Sequence, residues 1–187
     1  MQAVYEADIS SVANIQQKPL QQYNLQTVLD NDNFYLSEIE DMGSLNHSYL
    51  QLKLGTLFLQ MKEYIALTEL SLDTSPVKEK FPLAGDSVVA DVAVYPAREI
   101  NLAKDVLKMS EMPLLVIEIL SPMQATQLLV DKLAIYFALG VPSCWIVYPS
   151  AQTVSVFSAP YQFPSFSSGS VEDTVLGLKL PIEQNFG

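Results

Sequence analysis

Pro113-Leu-Leu-Val-Ile-Glu118-Ile-Leu-Ser-Pro122 is a nearly unbroken apolar run with a single carboxylate at its centre. A run this short and this apolar predicts a strand buried on both faces. An ionised carboxylate in such a strand costs several kcal/mol unless a metal or a cation compensates it. Glu118 therefore predicts a partner elsewhere in the chain.

Immediately downstream, Ser121 and Gln124 have capping-box spacing and Pro122 suits a first helical position. The helix they open is expected to end at Leu139, before Gly140 and Pro142. Leu128, Leu129, Leu133, Ile135, Tyr136, Phe137 and Leu139 go most of the way round it, so it is expected to be covered by the sheet on one side and by a second subunit on the other. Strands follow at 143–148 and 154–158, then an exposed loop at 160–170 and a last edge strand at 175–182.

Upstream, residues 87–95 (Ser-Val-Val-Ala-Asp-Val-Ala-Val-Tyr) form a second apolar strand with one carboxylate, Asp91. Residues 64–72 alternate as a further strand, and 97–112 read as a polar connection, either a short surface helix or a loop. Ser44 or Asn46 caps a helix to about residue 62, whose stripe is Leu50, Leu54, Leu57, Phe58 and Met61. His47 lies in its first turn, where a histidine is more often a cap or a solvated group than a catalyst. Residues 1–33 read as a loosely docked arm with one short helix at 25–29, and 34–42 are acidic. The expected organisation is that arm plus a single α/β domain over 34–187, a mixed sheet flanked by helices with one parallel crossover.

The formal net charge is -11, which argues against strong non-specific nucleic-acid binding while leaving room for a local basic groove. Only 17% of residues are charged, and so apolar a chain suggests self-association as a homodimer or higher homo-oligomer. The lone cysteine, Cys144, leaves no intrachain disulfide and suits a reducing compartment. Residues 1–20 show no secretory pattern, and no apolar run reaches the roughly 18 residues of a membrane span. The expectation is a cytoplasmic protein without a membrane partner.

With a period of two, Asp91 shares a face with Val89 and Ala93, and Glu118 with Val116 and Leu120. If the two strands are neighbours, the carboxylates converge. Leu129, Lys132 and Tyr136 form one stripe of the helix, from which Lys132 reaches the acids. Two carboxylates with a backbone carbonyl and waters make the incomplete oxygen shell that Mg²⁺ prefers. The same three residues equally describe a buried ion-pair cluster with no metal and no substrate.

The blocks Val89-Ala90-Asp91-Val-Ala-Val, 113–122, Asp131-Lys132-Leu-Ala-Ile-Tyr136 and Gly140-Val-Pro-Ser-Cys-Trp145-Ile-Val resemble one family. It is the bacterial putative restriction endonuclease family, a domain-of-unknown-function branch of the PD-(D/E)XK nuclease superfamily. The resemblance covers about residues 44–160 and implies a restriction-endonuclease-like core with an Mg²⁺-dependent phosphodiesterase centre, Mn²⁺ acting as a substitute. It implies Asp91 and Glu118 as metal ligands with the Ile119 carbonyl, and Lys132 as a catalytic lysine moved from the strand, where Leu120 stands, onto the helix. Tyr136 and His47 take supporting roles, and the implied substrate is nucleic acid, with DNA the first choice. The chain departs from the family at Ala90 (usually proline), Leu128 (usually an acid) and Tyr148 (usually aspartate), and it lacks arginines after Ser121-Pro122. Two functions follow: an Mg²⁺-dependent nuclease, or a nuclease-fold binding module whose acid–lysine cluster is structural.

Overall fold

The computed structural model describes residues 44–82, 84–122 and 126–186. The arm at 1–33, its helix at 25–29 and the acidic segment 34–42 lie outside these residues, as does Gln124 of the expected capping box. The elements run α1 (Leu45–Gln60), β1 (Tyr64–Asp73), β2 (Ser87–Pro96), β3 (Leu115–Ile119), α2 (Thr126–Leu139), β4 (Ser143–Tyr148), β5 (Thr153–Phe157), β6 (Ser165–Phe166), β7 (Ser170–Asp173), β8 (Leu178–Pro181) and α3 (Ile182–Phe186). Short 3₁₀ turns at Ser75–Val77 and Pro149–Ala151 each begin with or contain proline.

Six strands form one sheet in the order β1-β2-β3-β4-β5-β6, antiparallel except for the β3–β4 pair. That parallel pair is joined through α2, the crossover expected from the strand–helix–strand pattern. β3 sits inside the sheet, and all five of its residues are buried, so its continuous apolar run needs no polar alternation.

The two faces of the sheet carry separate cores. Leu50, Leu54 and Phe58 of α1 pack on Val92, Val94, Leu115, Ile117, Ile119, Trp145 and Val147. On the other face, Leu129, Leu133 and Tyr136 of α2 pack with Ala90, Val116, Cys144 and Ile146. Each fully buried aliphatic side chain of this kind contributes about 1.5–3 kcal/mol. The α1 stripe and its Ser44 cap match the sequence reading, with the Ser44 hydroxyl accepting from the His47 N–H.

Residues 97–112 take the loop alternative, as an irregular segment pinned to β1 by a bridge from Leu72 to Met109. Two expectations need correction. The segment read as a loop at 160–170 contains β6, which forms the edge of the large sheet opposite β1. The strand expected at that edge is instead β8, which pairs with β7 in a separate two-stranded sheet. Short strands of two to four residues with Pro, Ser and Gly around them leave too little periodicity to be seen.

Candidate active site

Glu118 is the fourth of the five residues of β3 and is 1% exposed. Its Oε2 accepts from the Lys132 ammonium at 2.7 Å and its Oε1 from the Tyr136 hydroxyl at 2.6 Å. Lys132 and Tyr136 stand four residues apart on α2, so both reach the same strand. The partner that the sequence demanded is thus an ammonium and a phenol. The phenol also lies 3.0 Å from the Val89 carbonyl. It has one proton and two acceptors, so both contacts are made together only when Glu118 carries a proton.

The electrostatics agree with that count. Burial raises the pKa of Glu118 to about 7; Lys132 pulls it back, and the negative charge of Asp91 adds to the rise. Burial lowers the pKa of Lys132, but Glu118's charge and hydrogen bond, with Asp91 and Glu69 behind them, leave it raised. Burial pushes the Tyr136 phenol well above its ordinary range.

Asp91 does not follow the simple alternation that places it with Val89 and Ala93. Residues Thr68↔Val92 and Leu70↔Ala90 pair across β1 and β2, yet Glu69 and Asp91 between them do not. Ala90 and Ala93 both enter the α2-side core, as do Leu67 and Leu70 on β1. Each strand therefore carries one residue out of step, a paired bulge that changes the phase of the side chains. Glu69 takes a φ of +53°, a left-handed conformation unusual for a residue with a side chain.

At this kink β2 and β3 part, since their ladder ends at Val92↔Ile117. The Asp91 carboxylate fills the gap: its Oδ2 accepts from the Ile119 N–H at 2.6 Å. The N–H and C=O of a strand residue point to the same side, so the Ile119 carbonyl also faces β2. The α1 helix closes the site from the other face. The His47 Nε2 lies 3.1 Å from the same Asp91 Oδ2, and that hydrogen bond is the main reason its pKa is raised, against burial. One turn on, Gln51 donates to the Asp91 carbonyl at 2.9 Å and to Glu69.

The structure thus brings Asp91, Glu118, Ile119, Lys132, Tyr136 and His47 into one connected group. Sequence reading missed Gln51 and Glu69. A signal for the kink was present, because the apolar positions of β1 shift from Ile65 and Leu67 to Leu70 and Leu72.

Other cations lie in pairs of their own: Lys78 with Asp86, Arg98 with Glu111, and Lys179 with Glu172. Lys53 sits over the Tyr49 ring, and Lys108 donates to the Asp86 carbonyl. The charges acting on His47, Glu118 and Lys132 are Asp91, Glu69, Glu118 and Lys132, three acids against one lysine. Among the described residues no three His, Cys, Asp or Glu side chains gather as a metal cage. A cavity of about 300 Å³ opens beside the site, where Ser44 and Asn46 meet Leu120, Ser121 and Pro122 after β3 and Pro149 and Ser150 after β4.

The model of the Uma2 family, described as "Putative restriction endonuclease", matches residues 36–183, which include every element from α1 to β8. The chain belongs to this family. A crystal structure described as "a putative nuclease belonging to DUF820" from Anabaena variabilis has the same fold, with a TM-score of 0.60. It is 24% identical, and the match covers 78% of this chain and 82% of that one. A search of curated proteins finds no match. The fold class read from the sequence, a restriction-endonuclease-like core with a mixed sheet, is therefore the observed one. Restriction-endonuclease-like families generally use a divalent metal and act on nucleic acid. No helix among the described residues is long and apolar enough to cross a membrane.

Proposed function

We propose that this protein is an Mg²⁺-dependent nuclease that hydrolyses phosphodiester bonds of nucleic acid, DNA being the first substrate to test and Mn²⁺ the substitute ion. The observation that carries the reading is the convergence of Asp91, Glu118 and Lys132 where β2 and β3 part. The donors fit the ion. Two carboxylates and the Ile119 carbonyl are hard oxygens, and a dication stabilises the ionised form of Glu118, which burial and Asp91 disfavour. Asp91, Glu118 and the Ile119 carbonyl would hold it. When bound, such an ion supplies Lewis-acid activation of water and of the phosphoryl group.

The chain's own groups do the remaining work. Lys132, 28% exposed, sets a positive charge between Glu118 and solvent, where it stabilises charge building on the phosphate. Tyr136 holds Oε1 of Glu118, and His47 holds Oδ2 of Asp91, so both carboxylates are oriented before substrate arrives. The catalytic role falls to the domain read over residues 34–187, and the reducing cytoplasm suits the buried free thiol of Cys144. Self-association belongs to the same reading. Among the described residues no large apolar side chain of α2, where a second subunit was expected, is exposed; Leu45, Tyr49, Leu52 and Leu59 are exposed on the outer side of α1 with the four–three spacing of a helix seam. Light scattering checks it: a clean monomer removes the oligomer.

A second reading is favoured by one observation, the excess of acids over cations around the site. In it the chain is a nuclease-fold binding or assembly module without catalysis. Calorimetric titration of Mn²⁺ into the wild type and Asp91→Ala, with cleavage of plasmid DNA assayed alongside, separates the two. Binding and cleavage that both vanish in the variant support the nuclease. A wild type that neither binds nor cleaves supports the module.

A further inference from the structure

The paired bulge at Glu69 and Asp91 leaves two strand residues outside the β1–β2 ladder. A main-chain carbonyl so released needs a donor from elsewhere. Gln51 supplies it. Its Nε2 donates to the Asp91 carbonyl at 2.9 Å and to Oε1 of Glu69, the residue with a φ of +53°. A carboxamide nitrogen has two protons, and here each has one acceptor, one on each displaced residue. A glutamate at this position has no proton to give when ionised, and a methionine has the length without the donors. Gln51 is also one turn from His47, which holds the far end of the same aspartate. The helix α1 therefore grips Asp91 at both its carbonyl and its carboxylate.

We propose that Gln51 is a positioning residue: by tying Glu69 and Asp91 together it turns the Asp91 carboxylate onto the Ile119 N–H, at the point where β2 and β3 part. Its consequence for metal affinity rests on the reading of Asp91 as a ligand; its consequence for the Ile119 amide does not.

The test is hydrogen exchange of backbone amides by NMR on wild type, Gln51→Met and Glu69→Ala, with Mn²⁺ titrated into each. In Gln51→Met the Ile119 amide is expected to exchange about tenfold faster, while Val116 and Ile117 in the same strand keep their rates. The dissociation constant for Mn²⁺ is expected to rise about tenfold, as for other groups that orient metal ligands. Glu69→Ala cuts one of the two ties and is expected to give a smaller change of the same kind. It also serves if Gln51→Met fails to fold. Unchanged Ile119 exchange in the variants overturns the proposal. So does equal acceleration across β3, which marks a purely structural residue. If the wild type itself binds no Mn²⁺, the nuclease centre fails, and the Ile119 amide alone still decides the role of Gln51.

Discussion

Among the described residues two carboxylates are almost wholly buried, Glu118 and Asp173, and they are held in opposite ways. Asp173, at the end of β7, accepts from four neutral donors: the Ser143 hydroxyl at 2.6 Å, the Trp145 indole at 2.8 Å, and the N–H groups of Val175 and Leu176 at 3.0 and 3.1 Å. These donors cannot leave or change charge near neutral pH; Ser143 and Trp145 dock the β7–β8 pair on the large sheet, and the two N–H groups close its turn. Glu118 has instead an ammonium and a phenol that already serves a second acceptor. A fully satisfied carboxylate specifies structure; one held by a cation and a shared proton keeps capacity for chemistry.

The sharpest way to break this comparison is to measure cleavage. Glu118→Gln is expected to lower it on the order of 10³-fold, the scale of losing preorganised electrostatic stabilisation of a transition state. Asp173→Asn, assayed where it is folded, is expected to cleave as the wild type does. An equal loss in both would end the distinction.

Stability should reverse the ranking. Asp173→Ala strips the acceptor from four buried or half-buried donors and is expected to cost about 3 kcal/mol in urea denaturation. Glu118→Gln keeps a neutral hydrogen-bonding group in place and is expected to cost about 1 kcal/mol or less. Lys132→Met isolates the two roles of one contact: cleavage is expected to fall roughly 10²-fold, with little loss of melting temperature, because Glu118 can then hold a proton.

A further test is the pH dependence of the metal-free fold. The carboxyl of Glu118 is raised when folded, to about 7 from an unfolded value near 4.5. The folded state then holds a proton that the unfolded state has released. Stability from this group is fully present below about 4.5 and is lost as pH rises through about 7. The raised His47 slopes the same way at higher pH. Urea midpoints across this range should fall in the wild type and flatten in Glu118→Gln; parallel curves would refute the assignment.

Local periodicity made much of this protein legible before any coordinates. The apolar run around Glu118 identified the central strand and required a partner for its charge. The stripe of Leu129, Lys132 and Tyr136 named that partner, because residues three and four apart on a helix must share a face. The order of strands and the parallel crossover followed from the same pattern.

Tertiary structure alone decided the rest. His47 meets Asp91 across 44 residues, and Gln51 meets it across 40. Neither contact has a period to announce it; both depend on where α1 docks on the sheet. Asp173 finds Ser143 across 30 residues by the docking of a two-stranded sheet whose strands are too short to read. The phase slip in β1 was visible in its leucines, but the matching slip in β2 was hidden, since Val and Ala at nearly every position suit either face. A sequence records which side chains share an element. Which elements bring a carbonyl, an amide and a carboxylate within 3 Å is settled only when the two cores close around the sheet.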